Sequence, residues 1–138
     1  MSKFALSTRS IGRLANTDER ILTLLLNAIQ YTAIDFGIPK DGGLRTAERQ
    51  NEIFASGASQ KDGYVKISYH QTGKAFDIVC YSSGSVTWDK IYYYMVAGVI
   101  LGTAKAMGIN LVWGGNWDND TDLKDQSFMD LGHFQLMD

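Results

Sequence analysis

The stretch Ser68-Tyr69-His70-Gln71-Thr72-Gly73-Lys74-Ala75-Phe76-Asp77-Ile78-Val79-Cys80-Tyr81 decides how this chain is read. Its second half, Phe76 to Tyr81, has the composition of a strand, and successive side chains of a strand point to opposite faces. Phe76, Ile78 and Cys80 share one apolar face; Asp77 and Val79 share the other. Asp77 is thus an ionisable group at the start of an otherwise apolar strand, and burying it requires a partner or a metal. Gly73 lets the chain turn, so that His70 can return beside Asp77.

The chain has two histidines in 138 residues. The second lies in Asp130-Leu131-Gly132-His133-Phe134, at the head of a terminal strand over Gly132 to Met137. There His133 and Gln135 share one face, Phe134 and Leu136 the other. If the polar faces of the two strands look into one cleft, His70, Asp77 and His133 converge. Two imidazoles and a carboxylate are a ligand set for a catalytic zinc that keeps one position for water. Asp130 is the leftover carboxylate, placed to act as general base and then general acid. On spacing alone a plainer reading stays open: Asp130 caps a turn, and Asp77 begins a strand near a lysine.

Outward from these motifs, Asp18 to Asp35 reads as a helix with Ile21, Leu24, Leu25, Ala28 and Ile29 at helical spacing, capped by Thr17 and closed by Gly37. A short extended piece is expected at Gly43–Thr46. Thr46 then caps a second helix to about Ser56, ended by Gly57. Residues 58–69 read as irregular, and Ser82-Ser83-Gly84-Ser85 as a turn. Trp88 to Met107 reads as the central helix, with Gly108 after it. Ile109 to Trp113 is a strand candidate. The expected class is α+β, a small antiparallel sheet packed with about three helices.

Composition fits one domain over 1–138, 45% apolar and 20% charged, with net charge −2. That balance supplies no basic footprint for nucleic acid. The single Cys80 excludes an internal disulfide and reads as a small core residue. The N-terminus lacks the apolar run of about 7–15 residues that a secretory signal requires. Ile91 to Ala104 is too short and too polar to span a bilayer. No membrane insertion is expected.

Ser68-x-His70-x-x-Gly73-x-Ala75-x-Asp77, followed downstream by Asp130-x-x-His133, resembles the zinc metallopeptidases of the LAS type. This is the D-Ala-D-Ala carboxypeptidase and dipeptidase group, related in fold to the Hedgehog signalling domain. Within it the chain is most similar to phage endolysins that cleave L-alanyl-D-glutamate bonds. Leu6-Ser7-x-Arg9-Ser10, Gly43-Leu44-Arg45-Thr46-x-x-Arg49-Gln50, Gly57-Ala58-Ser59 and Trp113-Gly114-Gly115-x-Trp117 extend the resemblance over nearly the whole chain. It implies zinc on His70, Asp77 and His133, Asp130 as the catalytic acid/base, and Arg45 holding a substrate carbonyl or carboxylate. Ser68 and Gln50 are expected to shape the site by position.

The implied substrate is a peptidoglycan stem peptide, cleaved by a monomer held in the host bacterial cytoplasm until release to the wall. The alternatives are a D-Ala-D-Ala peptidase of the same family and a non-catalytic zinc module that binds cell wall. A non-haem iron oxygenase shares the two-His, one-carboxylate set but not the spacing. Trp113 and Trp117 bracket a Gly-rich turn and either line a substrate groove or cover a sheet edge. Asp118, Asp120 and Asp122 in the acidic loop to Asp125 resemble the start of a calcium loop. They depart from it at Leu123 and Met129, where glycine and glutamate belong.

Overall fold

The computed structural model describes residues 3–124 and 129–138; Asp125, the end of the acidic loop, lies outside them. The apolar periodicity of the N-terminal half produces α2 (Glu19–Ala28), which buries Ile21, Leu24, Leu25 and Ala28. The long apolar run downstream produces α4 (Lys90–Ala106), which buries Tyr93, Val96, Ala97, Ile100 and Ala104. The two helices pack against each other, and α4 also covers strands. Each fully buried Ile, Leu or Val among them contributes about 1.5–3 kcal/mol of hydrophobic stabilisation, and each alanine less.

Among the described residues six short strands form two three-stranded antiparallel sheets. The first holds β1 (Phe36–Gly37), β3 (Val79–Ser82) and β4 (Ser85–Thr87) in the order β1-β3-β4. The second holds β2 (Ala75–Asp77), β5 (Leu111–Trp113) and β6 (His133–Leu136) in the order β2-β6-β5. The single strand expected over Phe76 to Tyr81 is therefore two strands in two sheets. Asp77 pairs with His133 in one sheet, and two residues later Val79 pairs with Gly37 in the other. Ile78 is the crossing point, its N–H donating to the Gly132 carbonyl at 2.8 Å. The apolar alternation survives the break: Phe76, Ile78 and Cys80 all join the core.

Other boundaries also move. The first long helix ends at Ala28 rather than near Asp35, and Thr32 ties Ile34 into a turn through hydrogen bonds of 2.7 and 3.0 Å. Its cap is Asp18, which accepts from Arg20 N, whereas the Thr17 hydroxyl donates to the Leu14 carbonyl. Gly37 lies in β1, and Gly43–Thr46 is not a strand. A helix α1 (Thr8–Arg13) precedes these elements; it has no apolar stripe and buries only Ser10. Ser7 caps it, and the Ser10 hydroxyl accepts from Ile38 N at 3.0 Å, tying it to the chain beyond β1. The third helix, α3 (Ala47–Ala55), carries the expected Thr46 cap. β3 and β4 join through Ser83 and Gly84, both at positive φ, the geometry of a two-residue hairpin turn whose twist matches its strands. No helix among the described residues is long and apolar enough to cross a membrane.

Candidate functional site

β2 and β6 lie side by side, and their register sets Asp77 directly opposite His133. Phe76 and Phe134, one position along, point the other way and stack in the core with ring centroids 5.0 Å apart. The period-2 alternation thus turns Asp77, His133 and Gln135 outward together. His70 arrives from a short 3₁₀ turn, Tyr69–Thr72, which Ser68 caps by accepting from His70 N at 3.2 Å. Gln71 reaches back to the Ser68 N–H and completes a capping box. Gly73 ends this turn with φ 72°, a conformation that costs glycine little, and the chain enters β2.

His70, Asp77 and His133 form the one group of three metal-ligating side chains found among the described residues, their donor atoms all within 4.8 Å of one another. Asp77 Oδ1 lies 3.1 Å from His70 Nε2 and 3.1 Å from His133 Nδ1. The far nitrogens have partners that are acceptors only at the contacting atom. His70 Nδ1–H donates to the Gly43 carbonyl at 2.9 Å, and His133 Nε2–H donates to Gln135 Oε1 at 2.8 Å. In that tautomer both inward nitrogens are bare lone pairs, and they face a carboxylate oxygen. Three acceptors converging without a donor repel one another unless a cation or a proton sits among them. Outer hydrogen bonds that fix ring orientation and tautomer are the usual support of a metal site. The residues therefore fit a divalent cation, and the N₂O donor set suits zinc.

The electrostatics tell the same story without the ion. Burial works to push the Asp77 carboxyl up, but with no ion present a proton on the facing His133 and His70 nitrogens prevails and holds it well below the usual carboxylate range. Burial works against a charged His133, but the Asp77 carboxylate beside it prevails and raises that imidazole. The centre attracts positive charge.

Arg45 closes the other side of Asp77. Its Nη2 donates to Asp77 Oδ2 at 3.0 Å, its Nη1 to Gln50 Oε1 at 3.0 Å and its Nε to the Asp41 carbonyl at 2.8 Å. One of its five N–H groups thus orients the acidic side chain, and two more fix the guanidinium in place. Gln50 is fully buried and does not reach the cavity; it also donates to Ser59 Oγ and to the Lys61 carbonyl. Gln50 therefore reaches the site through Arg45, whereas Ser68 caps the turn that carries His70 and also lines the cavity.

A cavity of about 740 Å³ opens over these residues, lined by Arg45, His70, Asp77, Trp117, Asp130 and His133 among others. Asp130 stands at its rim. Its carboxyl is raised above the ordinary value, first by loss of solvent around it and then by the neighbouring Asp77 charge. Backbone contacts hold it there: Asp130 N donates to the Gly114 carbonyl at 2.9 Å, and Gly114 N donates to the His133 carbonyl at 2.7 Å. Any Cβ at Gly114 would collide with the Asp130 carbonyl oxygen, so only glycine allows this approach.

The structure separates the two tryptophans. Trp113 does not line the cavity: it is buried in β5, donates to the Leu131 carbonyl and packs against Phe134 and Tyr94. Position 113 alternates with Val112 onto the core face. Trp117, beyond the Gly-rich turn, lies over His133 with centroids 5.4 Å apart. The aspartates expected to bind calcium do not converge as a ligand group among the described residues. Asp120 Oδ1 accepts from Asp122 N, and Asp122 Oδ1 from Lys124 N, each at 2.9 Å, so these carboxylates close turns of their own loop. Asp118 lines the large cavity instead. Sequence reasoning missed Gln135 and Gly43, which set the histidine tautomers. The i, i+2 spacing of His133 and Gln135 was the available signal for the first; the second has no signal, because any residue supplies a carbonyl. Cys80 is buried and its thiol is pushed up to about 12 by desolvation, which leaves it no nucleophilic role.

The proteins similar to this chain carry one activity in their names. The family model of the phage L-alanyl-D-glutamate peptidase matches residues 1–137. An L-alanyl-D-glutamate peptidase of Escherichia phage T5 is 27% identical, covering 97% of this chain and 98% of its own length. Another, from a Listeria phage, is 29% identical over 96% of this chain and 41% of its own length. The crystal structure of the Serratia marcescens L-Ala D-Glu endopeptidase ChiX superimposes with a TM-score of 0.80 at 30% identity, covering 97% of this chain and 90% of that one. With a family match running through both histidine motifs and almost to the last residue, the chain belongs to the phage L-alanyl-D-glutamate peptidase family.

Proposed function

We propose that this chain is a zinc-dependent peptidoglycan peptidase that hydrolyses the L-alanyl-D-glutamate bond of stem peptides. The observation that carries this reading is the convergence of His70 Nε2, His133 Nδ1 and Asp77 Oδ1, with Asp130 on the rim of the same cavity. His70, Asp77 and His133 would hold the ion, which when bound polarises the scissile carbonyl and acidifies water. Asp130 supplies the proton traffic: its carboxylate takes a proton from the attacking water and delivers it to the leaving amine of D-glutamate. Its raised carboxyl suits both halves of that exchange, because a base must be able to give the proton back. Arg45 keeps Oδ2 of Asp77 turned away from the imidazoles, so that Oδ1 remains the ligand atom. Trp117 covers one side of His133 and limits access of bulk water.

The substrate places this activity at the bacterial cell wall. The test is digestion of purified peptidoglycan followed by mass analysis of the fragments. New N-terminal D-glutamate, abolished by chelation and restored by zinc, is the expected result. Release of D-alanine, or full activity in His133→Ala, would overturn the reading.

A further inference from the structure

Asp77 and Asp130 line two cavities. Besides the large polar one, they face a second of about 330 Å³ that also touches Val79, Trp88, Lys90 and Leu131. The two spaces differ in character. The large one carries the polar and charged side chains of Arg45, Ser59, Lys61 and Gln135 beside apolar Ile53, Ala58 and Trp117. The small one has an apolar floor of Val79 and Leu131 and a wall formed by the Trp88 indole. Trp88 is 74% exposed, yet it is held flat: its ring stacks on buried Tyr93 with centroids 6.3 Å apart and planes 4° from parallel. Tyr93 is fixed in turn by donating to the Thr87 carbonyl at 2.9 Å and by accepting from Cys80 N at 3.2 Å. A large aromatic face kept both exposed and rigid beside a reaction centre is a contact surface awaiting a ligand.

The two halves of the proposed substrate differ in the same sense. On the amine side of the scissile bond stands D-glutamate with its ionised carboxylate, followed by the rest of the stem peptide. On the acyl side stands one methyl-bearing residue, joined through a lactyl ether to a sugar ring. The longer, charged half suits the larger polar space. The short apolar half suits the smaller one, and the C–H face of a pyranose packs on an indole. We infer that the small cavity is the acyl-side subsite, with Trp88 as the platform for the muramyl sugar that carries the L-alanyl group. This rests on the peptidase reading above and adds a specificity determinant to it: the enzyme prefers stem peptides still attached to glycan.

The experiment compares two substrates, an N-acetylmuramoyl stem peptide and the same peptide with an acetyl cap in place of the sugar. In the wild type the sugar raises kcat/KM about tenfold. Trp88→Ala lowers kcat/KM on the muramoyl substrate by about that factor and leaves the capped peptide within about twofold; Trp88→Phe restores most of the difference. Equal losses on both substrates, or a wild type indifferent to the sugar, would overturn the subsite while leaving the bond assignment standing. Cleavage of neither substrate by the metal-loaded wild type would sink the bond assignment, and the subsite with it. An unchanged melting temperature in Trp88→Ala separates a lost contact from a misfolded chain.

Discussion

The Arg45 guanidinium grips the outer oxygen of Asp77 at 3.0 Å, while the inner oxygen of the same carboxylate faces both imidazoles. The arginine expected to hold substrate is thus first a support of a metal ligand. Its side chain is largely buried, and the pair is hydrogen-bonded further through Gln50, which makes it stronger than a surface ion pair. Arg45→Ala should weaken zinc affinity about 10–100-fold, the usual cost of losing an outer-shell partner. Competition with a chromophoric chelator reads this directly. Unchanged affinity with reduced kcat/KM would return Arg45 to a purely substrate-holding role.

Asp130→Asn keeps the shape of the side chain and removes its capacity to carry a proton. We expect kcat to fall about 10²–10⁴-fold with zinc affinity unchanged. Single-turnover kinetics on purified stem peptide, with metal content measured in the same samples, checks this. A variant retaining more than about a tenth of its activity would move the proton transfer to another group.

Gly114→Ala tests the same residue through the backbone. A Cβ there meets the Asp130 carbonyl oxygen, so the segment carrying the acid/base must shift. Activity should fall about 10²-fold or more, since small displacements of a reacting group are costly. His70 and Asp77 sit on other segments, while His133 shares the Asp130 segment, so zinc affinity should fall less than activity. Wild-type kcat in this variant would show that Asp130 tolerates the shift.

Metal removal should cost stability as well as activity. Without a cation the centre holds two inward lone pairs against a carboxylate oxygen, and a ligand that binds only the folded state stabilises it by mass action. Chelation should lower the melting temperature, and zinc should restore it in a concentration-dependent way. In Asp77→Asn the dependence on zinc should largely vanish.

The acid limb of stability should come partly from Asp18. This carboxylate caps α2, bonds Arg20 and accepts from Lys74 Nζ at 2.7 Å. Arg20 and Lys74 also hold Asp138 near the end of the chain. The Arg20 and Lys74 hydrogen bonds hold the Asp18 carboxyl well below the ordinary range. A depressed carboxyl contributes stability that is complete above its unfolded value of about 4 and is lost as pH falls below it. Asn caps a helix about as well as Asp, so Asp18→Asn isolates the charge. Denaturant midpoints measured between pH 2 and 7 should fall less steeply below about pH 4 in the variant than in the wild type.

The sequence by itself pointed to the candidate reacting residues and to three of the helices. His70, Asp77, Asp130 and His133 stood out because so few residue types can ligate a metal or carry a proton at neutral pH, and because Asp77 is a charge in an otherwise apolar strand. The Thr46 cap and the apolar stripes of α2 and α4 were legible because they are local patterns, repeated every turn. Tertiary structure decided the remainder. Nothing local distinguishes one continuous strand from two short strands of three and four residues; only the change of partner from His133 to Gly37 across Ile78 divides them. Whether Trp113 or Trp117 met the site depended on which face of β5 packed on the core. That Gly43 and Gln135 set the tautomers, and that Arg45 reached Asp77 from 32 residues away, depended on long-range approach. Hydrogen bonds of this kind are chosen by geometry among chemically equivalent donors and acceptors, and that geometry exists only once the two sheets and the helices have packed.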